Sequence, residues 1–98
     1  MSPKRIDLRK LARGKECQIR LVGVCNRDPA TTVLAHVRLA GITGVGLKAN
    51  DFLGAWACSD CHRVTERYKK DNFIQRSFLE GVIRTQNQVL KVCNLQKM

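Results

Sequence analysis

Ala57-Cys58-Ser59-Asp60-Cys61-His62 is the stretch on which the fold turns. It sets two thiols three residues apart, where a short apolar run from Phe52 to Ala57 gives way to helix-compatible residues through Lys70. A Cys-x2-Cys pair at such a junction offers two sulfurs to one ion with little strain, and zinc takes four ligands of this kind in a tetrahedron. The second pair lies upstream at Cys17 and Cys25. Alone its wider spacing would say little; joined to Cys58 and Cys61 it predicts one structural zinc held by four cysteines. Two other readings compete: buried thiols acting as small hydrophobes, and a redox pair at Cys58 and Cys61. Cys93 falls in phase with Val89 and Leu90 and is read as packing.

The bulk composition explains why a metal would be needed. Ninety-eight residues make a single domain, 1–98, with little interior to spare, and only 5% of them are aromatic. Structural zinc contributes on the order of 10 kcal/mol, comparable to the net stability of a whole domain. Chelation is therefore expected to unfold the chain. No apolar stretch reaches the length of a membrane span, and the basic N-terminus is not followed by an apolar region, so a cytoplasmic location is expected. A reducing compartment disfavours disulfides and agrees with clustered metal-binding thiols. The formal charge of +10 points to a polyanionic partner, nucleic acid first, and the basic residues concentrate toward the two ends.

Working outward from the knuckle, residues 1–6 read as a flexible basic arm. Asp7 can cap a short helix running to Arg13 and stopped by Gly14. Cys17, Ile19 and Leu21 alternate with Gln18 and Arg20, which predicts a half-buried strand over Glu16–Val24. After the turn formers Cys25 to Pro29, the β-rich run Thr31–Leu39 carries His36. Gly41, Gly44 and Gly46 lack the Gly-Lys-Ser/Thr element of a phosphate loop and read as a turned connection, with Lys48 as a phosphate contact. Phe52–Ala57 reads as another strand. From Asp71 to Val92, the residues Phe73, Ile74, Ser77, Phe78, Leu79, Val82, Ile83 and Leu90 recur at helical spacing, predicting a long amphipathic helix packed on the metal-bearing part. The fold class is thus α+β: a zinc-bound core over 16–70, a short helix before it and a long one over 71–93.

The two histidines complete a pattern. Arg13-Gly14-Lys15-Glu16-Cys17, Gly23-Val24-Cys25-Asn26, Val33-Leu34-Ala35-His36 and Ala57-Cys58-Ser59-Asp60-Cys61-His62 resemble the HNH or ββα-metal nucleases, and within them the small YbcO-like nucleases of lambdoid prophages. The likeness to the prophage group covers most of the chain; the general motif covers roughly Cys17 to Glu66. The resemblance implies that His36 is the general base activating water for attack on a phosphodiester, and that His62 is a ligand of a catalytic divalent ion, Mg2+ or similar. Imidazole titrates near neutrality and a divalent ion stabilises phosphorane charge, so the chemistry is sound. Glu66, four residues after His62, would face the same ion on a helix and resembles a second helical ligand of some members. The pattern departs from the family in two places. Ala35 stands where many members carry a further ligand, and Leu53 stands where the middle Asn is usual. Asn50 and Asp51 lie nearby; Asp51 is favoured, either to orient His36 or to help the ion, since a carboxylate suits a hard cation.

Three functional classes follow. The first is a metal-dependent endonuclease acting on DNA in a bacterial host cytoplasm, with Arg38, Lys48, Arg63 and Arg67 as phosphate contacts. The second is a non-catalytic zinc-stabilised DNA-binding module of phage origin. The third is an adaptor using the exposed side of the last helix, a face that also suits a homodimer. His62 has its own alternative as a zinc ligand in a Cys3His site.

Overall fold

The computed structural model describes residues 7–37 and 50–92. The basic arm over 1–6, the glycine-rich connection with Arg38 and Lys48, and Cys93 lie outside the described residues. Within them the order is helix α1 (Leu8–Ala12), a 3-10 turn (Pro29–Thr31), strand β1 (Val33–His36), strand β2 (Gly54–Ala57), helix α2 (Ser59–Arg67) and helix α3 (Asn72–Val92). No helix among the described residues is long and apolar enough to cross a membrane.

α1 begins where its cap predicts. Asp7 Oδ1 accepts from the N–H groups of Arg9 and Lys10, each at 3.1 Å, and the chain leaves the helix into Gly14 at φ +78°. Leu8, Leu11 and Ala12 then share one face, which packs with Trp56, Val89 and Leu34 in a small second core.

The strand expected over Glu16–Val24 does not form. Its alternation is real, since Cys17, Ile19 and Leu21 are buried and Arg20 is exposed, but Gln18 is buried as well and donates its N–H to Trp56 O at 2.7 Å. The chain then reverses: Arg20 has φ 57°, Gly23 has φ 76°, and the N–H groups of Val24 and Cys25 both donate to Leu21 O. The positive φ at Arg20 and Gly23 is incompatible with a continuous strand, and the reversal brings Cys25 back to Cys17. Eight residues of straight strand would hold Cys17 and Cys25 roughly 26 Å apart, too far to share an ion.

β1 and β2 pair antiparallel, in the register Val33↔Ala57, Leu34↔Trp56, Ala35↔Ala55 and His36↔Gly54. Both strands are shorter than their apolar runs suggested. All four β2 residues are buried, so β2 shows no alternation. α3 lies against β2 and against the loop that carries Cys17. The contact face of α3 is made by Ser77, Gly81, Val82, Thr85 and Val89, so small residues set the approach. The large apolar residues Phe73 and Ile83, expected inside, are 64% and 67% exposed. Hydrogen bonds cross this seam: Thr85 Oγ1 accepts from Trp56 N–H (2.9 Å), Arg84 Nη1 donates to Gln18 O (2.8 Å), and Gln86 Nε2 donates to Phe52 O (3.0 Å). The main core surrounds the cysteines, with Ile19, Leu21, Ala35, Val37, Ala55, Ala57 and Val82 about them.

Candidate functional site

Cys58 ends the approach from β2 and caps α2, its Sγ accepting from Cys61 N–H at 3.4 Å. This turn delivers both sulfurs of the knuckle to one side. The reversal after Ile19 brings Cys17 and Cys25 to the same point, so that the four sulfurs lie within 4.8 Å of one another, with Cys25 and Cys58 at 3.9 Å. A tetrahedral zinc site has sulfur edges of about 3.8 Å, so the donor set fits zinc with small adjustments. The protonation pattern agrees. Cys17 is pulled down to about 4, chiefly because the Cys61 thiol donates to it, while Cys61 is pushed far up by the same contact and by burial. Burial also raises Cys25. Four thiols crowded in this way cannot all ionise against one another, and a dication at their centre removes that repulsion. Asn26, next to Cys25, ties the two cysteine loops together: its Nδ2 donates to Ser59 Oγ (3.1 Å) and Asp60 Oδ2 (3.0 Å), and its Oδ1 accepts from Asp28 N–H (2.8 Å).

His36 stands at the end of β1 opposite Gly54, with 23% of its side chain exposed. Its Nε2 lies 2.7 Å from Asp51 Oδ1, and Arg9 Nε reaches the same oxygen at 3.3 Å. Asn50 and Asp51 have separate roles. Asn50 Oδ1 accepts from Phe52 N–H (2.8 Å) and its carbonyl from Leu53 N–H (2.9 Å), which closes a turn that projects Asp51 onto the histidine. The His36 hydrogen bond, followed by Arg9, holds the Asp51 carboxyl below its ordinary value.

On α2, His62 Nε2 lies 3.7 Å from Glu66 Oε1, one turn away. Glu66 and His36 line one cavity of about 40 Å³, walled by Val37, Ile74 and Phe78. The strand histidine and the helical carboxylate therefore line the same cavity, which the motif alone could not say. Of the expected phosphate contacts, Arg63 is 72% exposed and its Nη2 pairs with Asp60 Oδ1 at 2.9 Å, and Arg67 lies over the Tyr68 ring at 5.6 Å.

With this geometry in hand, residues 6–94 match the family model described as "Putative nuclease YbcO". The chain belongs to this family. Two relatives share 48% identity over 85 residues, covering 82% of this chain and 86% of each relative: "Putative nuclease YbcO" of Escherichia coli (strain K12) and "Putative nuclease ybcO" of Enterobacteria phage 82. A solved structure titled as a putative bacteriophage protein from Escherichia coli str. K-12 substr. MG1655 is 42% identical, with a TM-score of 0.67, and covers 85% of this chain and 95% of its own.

Membership in the YbcO family agrees with the resemblance read from the cysteine and histidine words. That reading gave two residues no role. Asn26 stands in one of its words, directly after Cys25. Arg9 stands in none, and it reaches Asp51 across 42 residues of sequence.

Proposed function

We propose that this chain is a metal-dependent endonuclease that hydrolyses DNA phosphodiester bonds, with one structural zinc on Cys17, Cys25, Cys58 and Cys61 and with His36 as general base. The observation that carries this is the convergence of His36 and Glu66 on one cleft, with Asp51 bonded to His36 and His62 beside Glu66.

A carboxylate can only accept a hydrogen bond, so Asp51 favours the imidazole form with its proton on Nε2. That leaves Nδ1 with a lone pair to take a proton from water. Asp51 is thereby assigned to orienting His36, the first of the two roles open to it. His62 and Glu66 would hold the catalytic ion. When bound, Mg2+ or a similar ion would neutralise charge on the phosphate and on the leaving oxygen. The zinc cysteines take no part in the chemistry; Cys61 precedes His62 and fixes the first turn of α2. Arg63 and Arg67, exposed on the same helix, would meet the DNA backbone, and Arg38 and Lys48 are assigned the same task on sequence grounds. The names of the relatives support a nucleic-acid substrate, and the clustered thiols suit the cytoplasm of a bacterial host.

A plasmid-nicking assay with Mg2+ or Mn2+ tests this reading. His36→Ala should cut at least about 100-fold more slowly, the lower range for a lost general base. Equal cleavage by the variant would remove His36 as base. A wild-type protein that binds DNA yet cuts no duplex, single-stranded or branched substrate would instead support the non-catalytic DNA-binding module. That second reading has one structural observation in its favour: Ala35 is 1% exposed, packed in the core, and offers no ligand.

A further inference from the structure

We infer that Arg9, on α1 and outside the cysteine and histidine motif, is a positioning residue for His36 that acts through Asp51. The kinetic part of this inference rests on the nuclease reading above; the structural part does not.

A single carboxylate oxygen, Asp51 Oδ1, faces both His36 Nε2 at 2.7 Å and Arg9 Nε at 3.3 Å. Asp51 sits on a turn with 39% of its side chain exposed. On such a turn water competes for the carboxylate, and the side chain has two torsions through which it can leave the histidine. A second donor on the same oxygen opposes that departure. The guanidinium suits this task because it is always charged and its Nε–H points in a fixed direction from a planar group.

The placement of Arg9 is itself secured. Asp7 caps α1 through the N–H groups of Arg9 and Lys10. The other face of α1, Leu8, Leu11 and Ala12, packs with Trp56 and Val89. Trp56 pairs with Leu34 on the hairpin whose next inward pair is Ala35 with Ala55, followed by His36 with Gly54. Arg9 and His36 are thus delivered by elements anchored to the same two strands. The linkage makes α1 part of the candidate active site even though it supplies no group that touches substrate.

The experiment compares zinc-loaded, 15N-labelled wild type, Arg9→Ala, Arg9→Lys, Asp51→Asn and the Arg9→Ala/Asp51→Asn double variant. Long-range proton–nitrogen spectra at alkaline pH read the tautomer of the neutral His36 ring, and cleavage kinetics read kcat and KM for DNA. Wild type should carry the Nε2–H form. Arg9→Ala should lower the tautomer ratio and kcat together by about 2- to 5-fold, the scale of one exposed ion pair, with KM unchanged and the melting temperature down by no more than a few degrees. Arg9→Lys should lie between wild type and Arg9→Ala, and Arg9→Ala should change nothing further once Asp51 is Asn. An unchanged tautomer ratio in Arg9→Ala overturns the inference. So does an equal loss with and without Asp51, or a rise in KM at constant kcat, which would make Arg9 a phosphate contact. If the wild type cleaves no DNA the nuclease reading fails, while the tautomer comparison still decides the Arg9–Asp51–His36 linkage.

Discussion

Replacing Gly81 by Ala sets two well-characterised effects against each other. In an isolated helix the change would gain about 1 kcal/mol. Here the new Cβ would stand 2.8 Å from Ile19 Cγ1, 3.1 Å from Ile19 Cα and 3.2 Å from Gln18 O. Carbon pairs rest at about 3.5–4.0 Å, so α3 and the loop bearing Cys17 must part by about 0.5–1 Å. Two of these three atoms are backbone, and rotamer changes cannot relieve them. Overpacking of this kind costs about 1–3 kcal/mol. The Arg84–Gln18 and Trp56–Thr85 hydrogen bonds cross the same seam and are worth about 1 kcal/mol each if stretched beyond use. The expected net loss is about 1–3 kcal/mol, which at roughly 4–8 °C per kcal/mol is a large fall in melting temperature for a chain of this size. Thermal unfolding of the zinc-loaded protein by circular dichroism measures it. Because Ile19 lies between Cys17 and Cys25, competition with a chelator should also show weaker zinc retention. A variant that melts at or above the wild-type temperature would refute the reasoning, since the helix-propensity gain would then have met no opposing contact.

Three further outcomes are expected. A strong chelator should collapse the far-ultraviolet circular dichroism of the folded protein and restoring zinc should recover it, while retention of the fold without metal would contradict a structural site worth on the order of 10 kcal/mol. Thr85→Val leaves the buried Trp56 N–H without its acceptor and should cost about 1–3 kcal/mol in denaturant unfolding. Asp51 is held below its ordinary value by His36 and Arg9, so its contribution is complete above that value and is lost as pH falls through the lower folded one. Asp51→Asn should therefore lose stability at neutral pH and converge with wild type in strong acid. Protonation of the cysteine cluster is common to both proteins, and protonation of His36 strengthens its contact with Asp51 before the carboxylate itself titrates, so a stability difference left undiminished in acid well below the ordinary carboxylate value would reverse the assignment.

Much of the architecture was legible along the chain because it depends on local signals. Asp7 as a cap, Gly14 as a stop, the Cys-x2-Cys turn into α2 and the period of α3 all act within a few residues. The alternation of Cys17, Ile19 and Leu21 was legible too, yet it misled: Gln18 is buried between them and the chain reverses after Ile19, bringing Cys25 back to Cys17. In the same way the apolar residues of α3 predicted the helix and part of its buried face, since Ser77 and Val82 are buried and Ile74 and Phe78 pack on the core, but not all of it. The close approach of the Cys17 loop selects Ser77, Gly81 and Thr85, leaving Phe73 and Ile83 in solvent.

The sequence by itself determined the candidate site residues and their order: four cysteines in two pairs, a histidine after each pair, and a basic chain around them. Those are properties of residue chemistry and short spacing. Only the tertiary structure decided which of Asn50 and Asp51 meets His36, that Glu66 shares its cavity, and that Arg9 closes on the same carboxylate from α1. Each of these is a contact between elements distant in sequence. Its existence depends on the register of one hairpin and on how closely two helices approach it, and no local pattern encodes either.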